Sequence, residues 1–266
     1  VGFGRLGEEL LKYGLQDNIF SPKQRIEYHI FGDGDAFAAV HGGLAALQDP
    51  VTFYPEPWYE RMSLVEQAQM VIVLRQEDQL ALLQSLLLAT CRERIYVFAA
   101  KAAGAELLAG RERLTVFDWR REAVLPERIL EDVLYERAKR INLRYAALYG
   151  GVAENEENRE AEWQRLDAFT RYSNVSAADY HEVRLGMLEA MGEPADAGRM
   201  SAGCLELLAE LEHIRWCRYH YLNNWRYGIP ENGRRKDAGQ RIHADLVPYE
   251  SLSDGEKEKD RENIRV

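Results

Sequence analysis

The sequence predicts an α/β fold: a doubly wound parallel sheet with a truncated first strand, followed by a mainly α-helical second half. Three observations predict it. Glycines 2, 4 and 7 in "VGFGRLGEELLKYG" run straight into helical periodicity. Short apolar runs such as "VTFY" and "MVIVL" then alternate with helical stretches, the pattern of a parallel sheet covered on both faces. After Trp119 the strand-like runs stop and a period near 3.6 takes over.

The elements follow in order. Gly7 to Asn18 reads as a helix, Ser21 and Pro22 as a loop, and "RIEYHIF" as a buried strand ending at Gly32-Asp33. A helix through "AFAAVHGGLAAL", the strand "VTFY", a short helix after Pro57, the strand "MVIVL" and a helix through "QEDQLALLQSLLLATC" come next, then the strands "RIYVFAA" and "LTVFDW". "PERILEDVLYERAKRINLRYAALYG" starts with Pro126 at a helix-start position and spaces Ile129, Val133, Ile141 and Tyr145 at helical intervals, which reads as a connector helix. "GGVAENEENRE" reads as a charged, solvated hinge. Helices are expected around "WQRLDAFTRYS", "SAADYHEVRLGMLEAMG" and "AGCLELLAELEHIRWCRYHYLNNW", then polar loops and a solvated helix in the terminal charge run.

Bulk properties exclude several classes. A net charge of -10 argues against a surface built for nucleic acid or anionic lipid, which need a basic footprint. Three widely spaced cysteines argue against a disulfide framework and favour a reducing, cytoplasmic setting. The longest apolar run, "LALLQSLLLATC", is interrupted by Gln84 and too short to span a bilayer. The abrupt opening at Val1 is what a piece cut from a longer protein would show, the first strand lying upstream.

In a glycine turn of this spelling, Gly2 allows the tight bend, Gly4 lets backbone approach a pyrophosphate, and Gly7 lets the helix pack on the sheet. The first helical amides, from Arg5 and Leu6 onward, would face the phosphate charge. Asp33 and Asp35, after the next strand, could accept hydrogen bonds from ribose hydroxyls. "GFGRLG" resembles the TrkA-N family, the cytosolic nucleotide-binding regulators of potassium channels and transporters, over roughly Val1 to Trp119. The resemblance implies a Rossmann-like domain that binds NAD or another nucleotide, with Arg5 as a phosphate contact, and a tendency to pair into homo-oligomers. "QMVIVLRQEDQLALL" matches the family's fourth strand and acidic loop, whereas "YPEPW" replaces its Gly-Asp pair.

The later half holds a second constellation: His213 and Trp216 on a helix, "WRYG" from Trp225 through Arg226 and Tyr227 to Gly228, the basic loop with Lys236, then His243 and "LVPY". This ordered series resembles the RyR domain, a small helical module of ryanodine receptors also found in bacterial proteins, with a ligand-binding role implied. From the residues alone, aromatic faces beside cations suit a planar, anionic ligand such as a nucleotide. His213, Cys217 and His220 at i, i+4 and i+7 could offer one helix face to zinc, but Trp216 and Tyr221 beside them favour a packed helix, so no metal is expected.

These readings divide the chain into a nucleotide-binding domain at 1–120, a connector and linker at 121–160, and a helical RyR domain at 161–266. The expected function is nucleotide sensing, in the cytoplasmic portion of a potassium-channel-like transport protein or a signalling protein, with membrane helices upstream. His29 and His41 lie in no acid/base setting and no G-x-S-x-G occurs, so catalysis is not expected. An NAD-dependent or nucleotide-processing enzyme is one alternative. A protein-interaction module with a vestigial Rossmann domain is the other.

Overall fold

A computed structural model describes residues 1–89, 94–98, 114–117, 135–231 and 233–266. The chain divides into two compact units. The sheet unit comprises Val1–Leu11, Ile26–Val40 and Asp49–Leu125; the helical unit comprises Lys12–Arg25, His41–Gln48 and Pro126–Val266.

In the sheet unit, β1 (Tyr28–Phe31) pairs in parallel with β2 (Val51–Tyr54), Tyr28 opposite Val51. A second parallel sheet has the order β3 (Met70–Val73), β4 (Arg94–Phe98), β5 (Leu114–Phe117). The described strands therefore make two small parallel sheets in a mixed α/β fold. Val1 and Gly2 hydrogen-bond to both: the Gly2 amide donates to the Phe31 carbonyl of β1 at 3.0 Å, and the Val1 amino group donates to the Ile72 carbonyl of β3 at 2.6 Å. Val71, Val73, Ile95 and Val97 are buried with Val65 of α3 (Met62–Gln67) and with Leu83 and Leu86 of α4 (Gln79–Ala89). Val71 and Val73, like Ile95 and Val97, are two residues apart and so share one face of the sheet, while Ile72 and Tyr96 between them are half-buried.

The sheet unit also holds the start of α1 (Arg5–Asp17) and all of α2 (Asp35–Val40). The helix read through "AFAAVHGGLAAL" stops at Val40. A 3-10 turn at Gly42–Ala46 follows, part of the helical unit.

That unit is built on α5 (Glu136–Gly150), α6 (Glu156–Arg165), α7 (Ala168–Met191), α8 (Ala202–Leu222) and α9 (Asp254–Ile264). Its core gathers Tyr180, Leu188, Leu208, Leu211 and Ile264 around Ile19. The Tyr180 hydroxyl donates to the Ile19 carbonyl at 2.6 Å, and Arg218 donates to that of Leu15 at 3.0 Å.

The stretch read as a solvated hinge is a helical hairpin instead. Left-handed Gly151 (φ 68°) ends α5, and the Asn155 side chain accepts from the Asn158 amide to start α6. Lys139 pairs with Glu160 and Arg159 with Glu136, each at 3.0 Å, so the charges join two helices. The break read near Ser173 lies upstream, where Asp167 accepts from the Thr170 amide and starts α7 as one continuous helix. Pro126, Ile129, Val133 and the boundary at 120/121 lie outside the described residues, as does Cys91. The polar loops near the end contain a small sheet: β6 (Arg226–Tyr227), β7 (Lys236–Asp237) and β8 (Ile242–His243), in the order β6-β8-β7. Among the described residues, no helix is long and apolar enough to cross a membrane.

Candidate functional site

Gly2 has φ +87°, and a Cβ there would meet the Arg75 backbone nitrogen at 2.6 Å, so the turn excludes any side chain. A Cβ on Gly7 would lie 2.9 Å from the Phe3 ring and 3.3 Å from Leu74, which is how closely the start of α1 packs beside β3. Gly4 differs: a Cβ there would meet no atom of the described residues within 4 Å. The first amide of α1 to find a backbone acceptor is that of Glu8, bonded to the Gly4 carbonyl at 2.9 Å. The amides of Arg5, Leu6 and Gly7 have no partner among the described residues. Phe3 turns its ring onto Phe37 and Phe53.

The turn and the acidic candidates lie at the same end of β1. A Cβ on Gly32 would touch the Phe3 backbone nitrogen at 2.8 Å, and Asp33 follows it. Asp33 and Asp35 are exposed, and Asp33 accepts from the Asp35 amide at 3.1 Å, opening α2. Arg5 is exposed. Sequence reasoning missed Arg75, which follows β3, has an exposed side chain and abuts Gly2; only its position after a strand marked it.

In the helical unit, the fold brings His213, Trp216, Trp225 and His243 into one ring cluster. Trp216 lies 4.0 Å from His220 and 4.9 Å from His243, centroid to centroid, and Trp225 stacks on Phe169 at 5.0 Å. His220 sits between them, 5.2 Å from Trp225 and 5.9 Å from His243. Phe169 arrives from α7 and carried no signal in the sequence. His220 was visible only as a metal candidate.

The two inner histidines are held neutral in opposite senses. Burial brings His220 down to about 3, only partly offset by its bond to the Trp216 carbonyl at 2.8 Å. Its Nδ1 donates there, so Nε2 carries a lone pair. Burial, then Lys236 and Arg235, brings His243 down to about 4; its Nδ1 accepts from the Asp245 amide at 3.1 Å, so Nε2 carries the proton. Neither Nε2 has a partner among the described residues, nor does the indole N–H of Trp216 or Trp225. The cluster therefore presents an acceptor and donors beside aromatic faces.

His243 stands in register with Tyr227 of β6 and Lys236 of β7, so those three share one sheet face. Arg226 is in register with buried Ile242 and belongs to the other face, which removes it from the ring cluster. Tyr227 and Lys236 are exposed, and Lys236 forms no ion pair among the described residues. Arg235 is held by Asp245.

His213 is at the inner edge, stacked on Trp216 at 5.7 Å. Its Nε2 donates to the Val247 carbonyl at 2.8 Å and its Nδ1 faces Asp260 at 3.4 Å. Burial opposes its charge, but Asp260 and Cys217 outweigh burial and lift it to about 11, a structural cation between two acceptors. Cys217 lies 3.4 Å from the same Nε2, so the ring nitrogens are already committed. Among the described residues no three His, Cys, Asp or Glu side chains stand together as a metal site.

Residues 199–266 match the family model of the RyR domain. The match begins just before α8 and contains all of the ring cluster except Phe169. No curated protein and no solved structure matches the chain.

Proposed function

We propose that the protein is a nucleotide-sensing regulator. A nucleotide, NAD among the candidates, lies on Gly2, Gly4, Arg5, Leu6 and Gly7 of the sheet unit, with Asp33 and Asp35 on its ribose side. The observation that carries this reading is that, among the described residues, nothing approaches a Cβ at Gly4 and three amides beside it have no partner, which at a helix N-terminus favours an anion. Support for a Rossmann-like, doubly wound arrangement comes from Val1 and Gly2. Gly2 bonds to Phe31 of β1 and Val1 to Ile72 of β3, contacts that fit the order β2-β1-(Val1)-β3-β4-β5 expected of a six-strand dinucleotide-binding sheet.

The RyR-like segment adds a second recognition surface for a planar ligand. Rings of Trp216 and His243 supply faces over buried Trp225, the two Nε2 atoms supply an acceptor and a donor, and Lys236 supplies charge. In a cell this reading fits the cytoplasmic part of a transport or signalling protein, acting as a homo-oligomer, since the resemblance to TrkA-N regulators points that way.

Calorimetric titration of the intact chain with NAD, NADH, ATP and cyclic dinucleotides tests the reading. At least one is expected to bind saturably without being consumed. A ligand whose affinity falls on Trp225→Leu belongs to the ring cluster; one unaffected by it belongs to the glycine turn. Absence of binding by every member of the panel removes the sensor, and steady turnover replaces it with an enzyme.

A further inference from the structure

Asp17, the last residue of α1, enters the helical unit beside two fully buried neighbours, Leu15 and Ile19. Its Oδ1 is buried and has no hydrogen-bond partner among the described residues. The groups facing it are Asp179 and Tyr180 from α7, and Glu212 and Arg215 from α8. The one cation among them is committed elsewhere. Arg215 donates through Nε and Nη2 to the two oxygens of Glu212, at 2.9 and 2.8 Å, and through Nη1 to Ser176 at 2.9 Å. Ser176 in turn donates to Gln16 Oε1 at 2.8 Å. A carboxylate at position 17 therefore meets two like charges, the negative end of its own helix and no free donor on one oxygen.

We propose that Asp17 is a proton-operated latch: its neutral carboxyl lets the segment Lys12–Arg25 seat against α7 and α8, and its ionised form loosens that segment. This goes beyond nucleotide recognition and does not depend on it. Burial first, then Asp179, pushes the Asp17 carboxyl up to about 7, against the pull of Arg215. The sign follows. Because the seated form holds its proton more tightly than the free form, the seat is strongest near the free carboxyl's own range and weakens as pH rises toward about 7, levelling above it.

Hydrogen exchange of residues 12–25 in the intact chain, corrected for intrinsic rates, reads this directly. Between pH 5 and 7 the wild-type protection is expected to fall by up to roughly tenfold per pH unit and then level. Asp17→Asn is expected to lose that slope and to exceed wild type at pH 8. Ser176→Ala, which leaves the carboxyl in place, is expected to lower protection while keeping the slope. Parallel slopes in wild type and Asp17→Asn, or lower protection in Asp17→Asn at every pH, would overturn the latch. Should the variant fail to fold, the carboxyl carbon shift of Asp17 in the wild type decides: a midpoint near 7 supports it, and one below 5 rejects it.

Discussion

Arg215→Ala is expected to destabilise the helical unit by about 3–5 kcal/mol, the usual cost of removing one partner of a buried ion pair. Arg215 and Glu212 are each 1 % exposed, and the guanidinium donates to both oxygens of that carboxylate and to Ser176. Without it, Glu212 keeps one side-chain donor among those described, the Asn263 amide at 3.0 Å, and Ser176 loses its own. The loss is of charge compensation more than of packing. Arg215→Met combined with Glu212→Leu should therefore recover most of the stability, since paired apolar groups of similar volume leave no orphaned charge. Urea unfolding followed by tryptophan fluorescence measures both; a single variant within about 1 kcal/mol of wild type would show that Glu212 finds other partners.

The second large effect is expected at Gly43. A Cβ there would stand 1.9 Å from the Tyr221 carbonyl oxygen and 2.7 Å from its carbon, backbone atoms that no rotamer can move. Gly43→Ala must lift the 3-10 turn off the end of α8 and break the bond between His41 Nδ1 and the Leu222 carbonyl, now 2.7 Å. A cost of about 3 kcal/mol follows from overpacking against backbone. At the neighbouring Gly42 the only atom of the described residues near a Cβ is Asn224 Oδ1, at 3.9 Å, so Gly42→Ala is the control and should stay within about 1 kcal/mol of wild type. Thermal denaturation of the two variants separates steric conflict from a general dislike of alanine in the turn.

How much was legible depended on whether the signal was local. The strand cores of β2, β3, β4 and β5 and the terminal helix α9 were readable because apolar runs and charge runs are contiguous in sequence. The spacing of the glycine turn was readable because Gly2, Gly4 and Gly7 are contiguous with the helix they open, although the steric demand on Gly2 comes from distant Arg75 and Gly4 meets no described atom. The share of the helical unit taken by Lys12–Arg25 and His41–Gln48 was not. Ile19 and Gly43 owe their places to Tyr180 and Tyr221, more than a hundred residues away, and no periodicity records such contacts.

The small sheet escaped for a different reason. Strands of two residues are too short to show alternation, so the row Tyr227, His243, Lys236 emerged only once the strands were paired. The same pairing separates Arg226 from the ring cluster, although it adjoins Trp225 in sequence. Charge patterning misled at 150–160, where residues that look solvated instead pair across two helices. Neighbours in sequence were read as neighbours in chemistry, and strand register corrected that.

The central claim is that the Arg5, Leu6 and Gly7 amides are left open to grip an anion. Amide NMR of the intact chain during titration with the tightest-binding nucleotide tests it, with Gly4→Val as the comparison, because that side chain would fill the approach while its Cβ touches none of the described residues. The prediction is that those three amides shift most in wild type, and that Gly4→Val keeps the fold but loses affinity by about a hundredfold or more, the effect of closing a backbone anion site. Shifts that bypass residues 5–7, or undiminished affinity in Gly4→Val, would contradict it.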